Sequence, residues 1–258
     1  MRKERVLLAV VILLAVAAFA QAQENKLGAT VDFTYATRYI WRGFDRYPNN
    51  DGAIQPSIDV DLYGTGFGFN VWYSTATQDG HVNGDQINYT TYYGNTAFKD
   101  EPYATKYKVG WMYYSYPHAP KNAAQEAFAS FSWPKICPLG VVPSYTIVKM
   151  WPAVEDSDVG DAYTESGWFH IFGLGYDWTV PQLGNQVLKL STELVYNDGA
   201  GAADVAHDWS HMVFGISTGF ALTQNLTFTP GFYFQKSMEK SVNGSDEYWT
   251  TLSMAYKF

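Results

Sequence analysis

The sequence predicts an all-β fold, a transmembrane antiparallel up-and-down β-barrel of 12 strands with both termini in the periplasm, and three observations carry that prediction. A secretory leader opens the chain, apolar and polar residues then alternate with period two, and the connections between alternating segments are short and long in turn. The 258 residues are 47% hydrophobic and 17% aromatic but only 16% charged, with the aromatics spread along the chain. Many short strands with aromatic edges have that composition.

The leader reads MRKERVLLAVVILLAVAAFAQAQE, a basic start followed by an apolar run from Val6 to Phe19 and then small residues. The run is shorter than the roughly 20 residues of a spanning helix and no basic stop-transfer cluster follows it, so residues 1–22 read as a signal peptide cleaved after Ala20 or Ala22. Residues 23–258 are then a single barrel domain. Removing Arg2, Lys3, Glu4 and Arg5 takes away a net +2 and moves the formal charge from −8 to −10, which argues against nucleic acid as a partner. The single cysteine, Cys137, cannot close an internal disulfide. No sustained 3.6-residue period appears, so helices should be almost absent.

Strand by strand, the first segment sets Ala29, Val31, Phe33, Tyr35, Tyr39 and Trp41 on odd positions against Thr30, Asp32, Thr34, Arg38 and Arg42 on even ones. The second sets Ile58, Val60 and Leu62 against Ser57, Asp59 and Asp61; the third sets Phe67, Phe69, Val71 and Tyr73 against Asn70 and Ser74. Each has one apolar and one polar face. Further strands are expected near 85–94, 103–116, 124–133, 141–151, 167–178, 187–197, 209–222, 225–236 and 247–258. The clearest are Leu188 to Tyr196 and Phe214 to Leu222; the parity of 141–151 is open.

Short connections are expected at Gly64 to Gly66, Asn95 to Pro102, Pro134 to Gly140, Pro181 to Gln186 and Thr223 to Asn225. Longer polar ones are DRYPNNDGA, TQDGHVNGD, AVEDSDVGDAYTESG, NDGAGAADVAHD and KSMEKSVNGSDE, with Pro117 to Ala123 of moderate length. Tight turns at one end and longer loops at the other are the layout of an outer-membrane barrel. The tail EYWTTLSMAYKF places Thr250, Leu252, Met254, Tyr256 and Phe258 on one face, the pattern of a C-terminal assembly signal. A secreted β-sandwich would also alternate, but strands of about 10 residues suit a tilted membrane crossing. Tyr39, Trp41, Tyr113, Trp168, Trp178, Trp209 and Trp249 near strand ends suit interfacial girdles.

With odd positions toward lipid, Arg38 and Arg42 enter the lumen, because an arginine facing lipid at mid-bilayer costs about 2–4 kcal/mol. A first hairpin whose paired residue numbers sum to about 97 sets Arg38 opposite Asp59, with Asp32 and Asp61 on the same face. Parity adds Lys106, Lys108, Glu126, Asp177, Lys189 and Glu193, giving six acids against five bases. Such a lumen is either a salt-bridge network that fills the barrel or a polar constriction that selects solutes. Trp72, Tyr92 and Tyr114 on the inner face favour flat or sugar-like solutes or simply fill space.

YATRYIWRGF, AIQPSIDVDLYGTGFGFNVWYST, QINYTTYYG and WMYYSYP resemble the TorF-type porins, a group of uncharacterised proteobacterial outer-membrane proteins. The resemblance runs over most of the chain after the leader. Members usually carry Ser-Asp-Tyr before the Arg-Gly step, where this chain has Thr37-Arg38-Tyr39 before Arg42-Gly43. The resemblance implies an outer-membrane barrel and no particular substrate.

Catalytic and metal constellations are weak. Ser166 and His170 stand about 13 Å apart along a strand, with no adjacent acid or amide to complete a triad. His207 and His211 would not face together outside a helix, and the acids Glu155, Asp156, Asp158 and Asp161 lack the spacing of a calcium loop. No enzyme activity, cofactor or bound metal is expected. The expected function is a porin-like channel for passive diffusion of small hydrophilic solutes in the outer membrane of a Gram-negative bacterium. Its partners are outer-membrane lipid and lipopolysaccharide, the barrel-assembly machinery during insertion, and small-molecule solutes. The alternatives are a channel selective for one small solute and a non-conducting barrel that displays its loops. The six longer connections hold fifteen acids against four bases, a net −11, which predicts a modest cation preference.

Overall fold

The computed structural model describes residues 27–49, 52–154 and 166–258; the predicted signal peptide and the acidic run from Glu155 to Asp161 lie outside the described residues. In chain order the strands are β1 (Gly28–Ala36), β2 (Ile40–Trp41), β3 (Phe44–Asp45), β4 (Ala53–Asp61), β5 (Phe67–Ala76), β6 (Gln86–Ala97), β7 (Thr105–Ser115), β8 (Ala124–Ser132), β9 (Val142–Pro152), β10 (Gly167–Val180), β11 (Gln186–Asp198), β12 (His207–Thr218), β13 (Phe220–Ala221), β14 (Leu226–Ser237) and β15 (Glu247–Lys257). Each wall strand pairs antiparallel with its neighbours, β13 continues β12 beyond Gly219, and β1 pairs with both β4 and β15. The result is a closed barrel of twelve staves, with β2 and β3 as a separate two-stranded sheet. Helix is confined to three single turns among the described residues.

Closure removes every sheet edge, and each stave then has one face for lipid and one for the lumen. Register fixes which is which. Thr30 pairs with Asp59, Asp32 with Ser57 and Thr34 with Gln55, so even residues of β1 and odd residues of β4 share the inner face. Carried around the ring, the same pairing sends Ser144, Thr146 and Val148 inward, which settles the parity of the 141–151 strand. The outer face carries exposed Phe33, Trp111, Phe172, Leu174, Trp178, Phe214, Ile216, Leu252 and Met254. A belt of that extent exceeds any apolar patch a soluble protein leaves in water; it is a lipid-facing surface. Phe172→Arg on this face is expected to cost about 2–4 kcal/mol, whereas Ser191→Arg on the lumen face should cost far less. Denaturant unfolding of the barrel in phospholipid vesicles compares them, and equal costs would contradict the parity.

Both described ends of the chain lie where the turns are tight, since Lys257 pairs with Thr30. There Asp61 accepts the Gly64 N–H at 2.6 Å and caps the 62–66 turn, so it belongs to the turn and not to a constriction.

The first strand departs most from expectation. It ends at Ala36 and does not run on to Arg42. Residue numbers paired across the first hairpin sum to 89, as in Gly28 with Asp61, because the connection is not a terminal loop. Residues 37–49 instead turn into the barrel. Tyr39 is therefore buried in the interior and Trp41 half-buried there, neither being a girdle residue, and Trp249, paired with Tyr233 on the inner face, also leaves the girdle. Trp168, Trp178 and Trp209 remain on the outer face.

Candidate functional site

The inserted segment is a miniature hairpin. Ile40 pairs with Asp45 and Trp41 with Phe44 around the two-residue turn Arg42-Gly43, whose φ angles are 46° and 95°. Positive φ at both central positions is the signature of a two-residue hairpin turn matched to strand twist; glycine accepts it freely, but arginine does not. A Cβ on Gly43 would lie 2.7 Å from His211 Nδ1 and from Val242 Cγ1, so the tip is wedged against the wall as well as strained.

What holds Arg42 there is charge. Its Nη1 and Nη2 donate to Oε2 and Oε1 of Glu126 at 2.7 and 2.9 Å, a bidentate pair to a carboxylate that also accepts the Tyr114 hydroxyl at 2.7 Å. The guanidinium lies 5.0 Å from the Trp41 ring and 4.8 Å from that of Phe169. Burial works against its charge, but the Glu126 carboxylate, by its charge and its hydrogen bonds, outweighs burial and holds it protonated. Arg38, expected opposite Asp59, pairs instead with Glu247 on β15. Asp59 accepts from Tyr92 at 2.8 Å, and Lys108 sits 3.9 Å above the Tyr92 ring.

Around this hairpin the inner wall is sealed on stave after stave. The Tyr47 hydroxyl donates to the Gly84 carbonyl and also meets the Ser74 hydroxyl on β5, and Tyr39 packs at a tilt on Trp72. Trp41 meets Tyr114 on β7 and Phe169 on β10 edge-on. Phe44 shares a buried cluster with Ala124, Val148, Met150 and Val195 on β8, β9 and β11, and Gln235 on β14 donates to the Gly43 carbonyl at 3.0 Å. Tyr47, Ser74, Phe169 and Gln235 have no exposed surface. Burial, followed by the Glu247 carboxylate, pushes the Asp45 carboxyl up, against the Tyr47 N–H and Arg38. The segment expected as the first outer loop is thus a plug at the long-loop end of the lumen.

Toward the tight turns the lumen is polar and open. Ser57, Ser130, Ser144, Ser191, Ser217 and Ser253 face inward with Asp32, Lys106, Lys108, Asp177 and Lys189. Asp177 and Lys189 are register partners but form no ion pair, and Lys106 likewise has none among the described residues. Asp32 accepts from Thr34 and Ser253. Of the predicted lumen residues, Arg42 and Glu126 are brought together, Arg38 finds a partner outside that set, Asp61 caps its turn, Glu193 lines the cavity described next, and the rest line the open part. A cavity of about 210 Å³ separates the two regions, with Arg42, Gly43 and Ile40 on the plug side and Glu193, Ser191, Tyr233 and Trp249 on the wall.

The histidines divide as the sequence suggests. His211 is buried inward, beyond a bulge, while His207 hydrogen-bonds Asp198 at the rim. His170 faces outward beside Tyr145, at 2.8 Å.

No family model matches this sequence, and no curated protein matches it. Solved structures do. The NanC porin superposes with a TM-score of 0.54 at 10% identity, covering 90% of this chain and 100% of NanC. The KdgM porin, in complex with disordered oligogalacturonate, gives 0.54 at 8% identity over 89% and 99% of the two chains. An outer-membrane channel from Pseudomonas putida F1 gives 0.55 at 10% identity over 92% and 97%. The likeness is one of fold. It agrees with the porin-type barrel read from the sequence, and does not reach the TorF group specifically.

Proposed function

We propose that this protein is a porin-type channel of the Gram-negative outer membrane, with the tight turns in the periplasm, whose lumen is narrowed by its own inserted hairpin. The observation that carries the reading is the two-part interior: an open, hydroxyl- and charge-lined lumen below a plug docked through two ion pairs. A barrel meant only as a rigid scaffold gains nothing from a solvated, unpaired set of Lys106, Lys189, Asp177 and Glu193. Solutes are small and hydrophilic. KdgM was seen with an oligomeric acidic sugar; here lysines and carboxylates alternate in the open lumen, and no basic track favours a polyanion. The outward stripe of Leu252, Met254, Tyr256 and Phe258 would serve the assembly machinery, and the apolar belt would contact lipid and lipopolysaccharide.

A second reading has its own support. The plug packs on the whole circumference, which favours a closed barrel that displays its loops. Planar-bilayer recording of the refolded protein separates the two readings, since silence at every voltage for the intact chain and for a plug-free variant would refute the channel.

The longer connections keep their acidic excess, although Asp85 and Glu247 are buried and Arg46 has gone inside with the plug. A negative mouth concentrates cations. The reversal potential in a salt gradient is expected to show modest cation preference that fades as ionic strength rises, since screening acts over about 8 Å at physiological salt. Anion preference at low salt would overturn the acidic-mouth mechanism.

A further inference from the structure

Two acceptors at the cavity beneath the plug have no donor of their own, although Arg42, Ser191, Tyr233 and Trp249 also line it. Gln235, fully buried, must present its Nε2 to the Gly43 carbonyl, because that oxygen can only accept; its Oε1 is thereby turned away and has no hydrogen-bond partner. Glu193, on the adjacent wall, has no ion-pair or hydrogen-bond partner among the described residues. Arg42, the cation at the cavity edge, is neutralised by its bidentate contact with Glu126. The cavity therefore presents one carboxylate whose nearby cation, Arg42, is already held bidentately by Glu126, with the orphan amide oxygen sealed in its wall. Its other wall is the Tyr233–Trp249 pair, stacked at 5.3 Å and 14°. Glycine makes the room: Gly173 and Gly215 flank Glu193 and Ser191 on the neighbouring staves, and a Cβ on Gly215 would lie 2.8 Å from the Tyr233 ring.

We infer that this cavity is a binding site for a small organic ammonium ion, with the Glu193 carboxylate as counter-ion and Tyr233 and Trp249 offering aromatic surface to the cation. A volume of about 210 Å³, below the usual range of drug-sized pockets, suits a compact cation. The inference names a solute class for the proposed channel and rests on that reading for its physiological sense, but binding itself requires no conduction. A neutral polyol would give Glu193 no counter-ion of its own, and an anion would be repelled by its carboxylate.

Three probes of one size test it by ligand-observed NMR on the detergent-solubilised barrel: protonated ethanolamine, ethylene glycol and glycolate. Ethanolammonium is expected to bind at least about tenfold more tightly than either of the others. Glu193→Gln should lose that preference, Glu193→Asp should keep part of it, and Asp177→Asn, which removes a lumen carboxylate outside the cavity, should leave it intact. Heat-modifiable electrophoretic mobility shows that each variant is folded. Equal binding of the three probes, or undiminished ethanolammonium binding by Glu193→Gln, overturns the site. A barrel silent in bilayers that still binds ethanolammonium through Glu193 refutes the channel and keeps the site; a conducting barrel that does not bind it refutes the site alone.

Discussion

Replacing residues 37–52 by Asn-Gly will raise the single-channel conductance by about an order of magnitude, because it removes the whole plug and leaves the wall unaltered. The junction is ready-made. Ala36 and Ala53 face each other as the last pair of the β1–β4 ladder, and a two-residue Asn-Gly turn closes such a pair with the right twist. The barrel's own ladder continues unbroken through β1, β4 and β15, so folding does not depend on the hairpin. Tyr114, Val148 and Phe169, buried against it, will face water instead. The deletion also removes Arg38 and Arg42, leaving Glu126 and Glu247 as solvated carboxylates at the narrowest level. Cation preference should therefore increase together with conductance. Planar-bilayer recording and reversal potentials measure both, and an unchanged conductance would mean that the hairpin does not occlude the solute path.

The wall was legible in the sequence because lipid on one side and water on the other impose a strict period of two, and a one-residue slip would reverse every side chain. Twelve segments, the parity of all but the one at 141–151, and the outward stripe of the last strand follow from that single constraint. The plug was not legible for a related reason. Apolar alternation persists through Tyr39 and Trp41, so the pattern alone continues the strand past Ala36 into what is really a separate element. The signal that marks the break is local: Arg42-Gly43 between Trp41 and Phe44 is a two-residue turn sequence with glycine second, flanked by aromatics too numerous for an outer loop.

The partners of the two arginines lay outside any periodic argument. Arg38 meets Glu247 across 209 residues and Arg42 meets Glu126 across 84, distances that only barrel closure and inward folding bring together. Parity did place Glu126 in the lumen, but nothing in it says which charge arrives opposite. Glu193 illustrates the converse. It was found by parity along with five other acids, yet its distinction, an unpaired carboxylate beside the orphan oxygen of Gln235, exists only once the plug has claimed Gln235's amide hydrogens.

Arg42→Met will release the plug, and this effect should vanish when Glu126 is neutralised as well. In the native arrangement the Glu126 side chain is 2% exposed and that of Arg42 17%, so the pair is shielded from bulk water. Removing the guanidinium leaves a buried carboxylate with only the Tyr114 hydroxyl, a loss of roughly 3–5 kcal/mol. The wall need not unfold to relieve it. Withdrawal of the hairpin lets water reach Glu126 at the smaller cost of the plug's own contacts, so the penalty appears as a shift in docking, not in barrel stability. A change of that size moves the open-to-closed ratio by about two to four orders of magnitude. Glu126→Gln alone strands the arginine among Trp41 and Phe169 and opens the plug too, whereas the double variant Arg42→Met, Glu126→Gln keeps the Tyr114 hydrogen bond and buries no net charge. Its open fraction should return toward the native value, giving a coupling of roughly 2 kcal/mol or more in a double-mutant cycle. Single-channel open probability reads all four proteins, and strictly additive effects would show that the hairpin is held by its aromatic cluster and not by the ion pair.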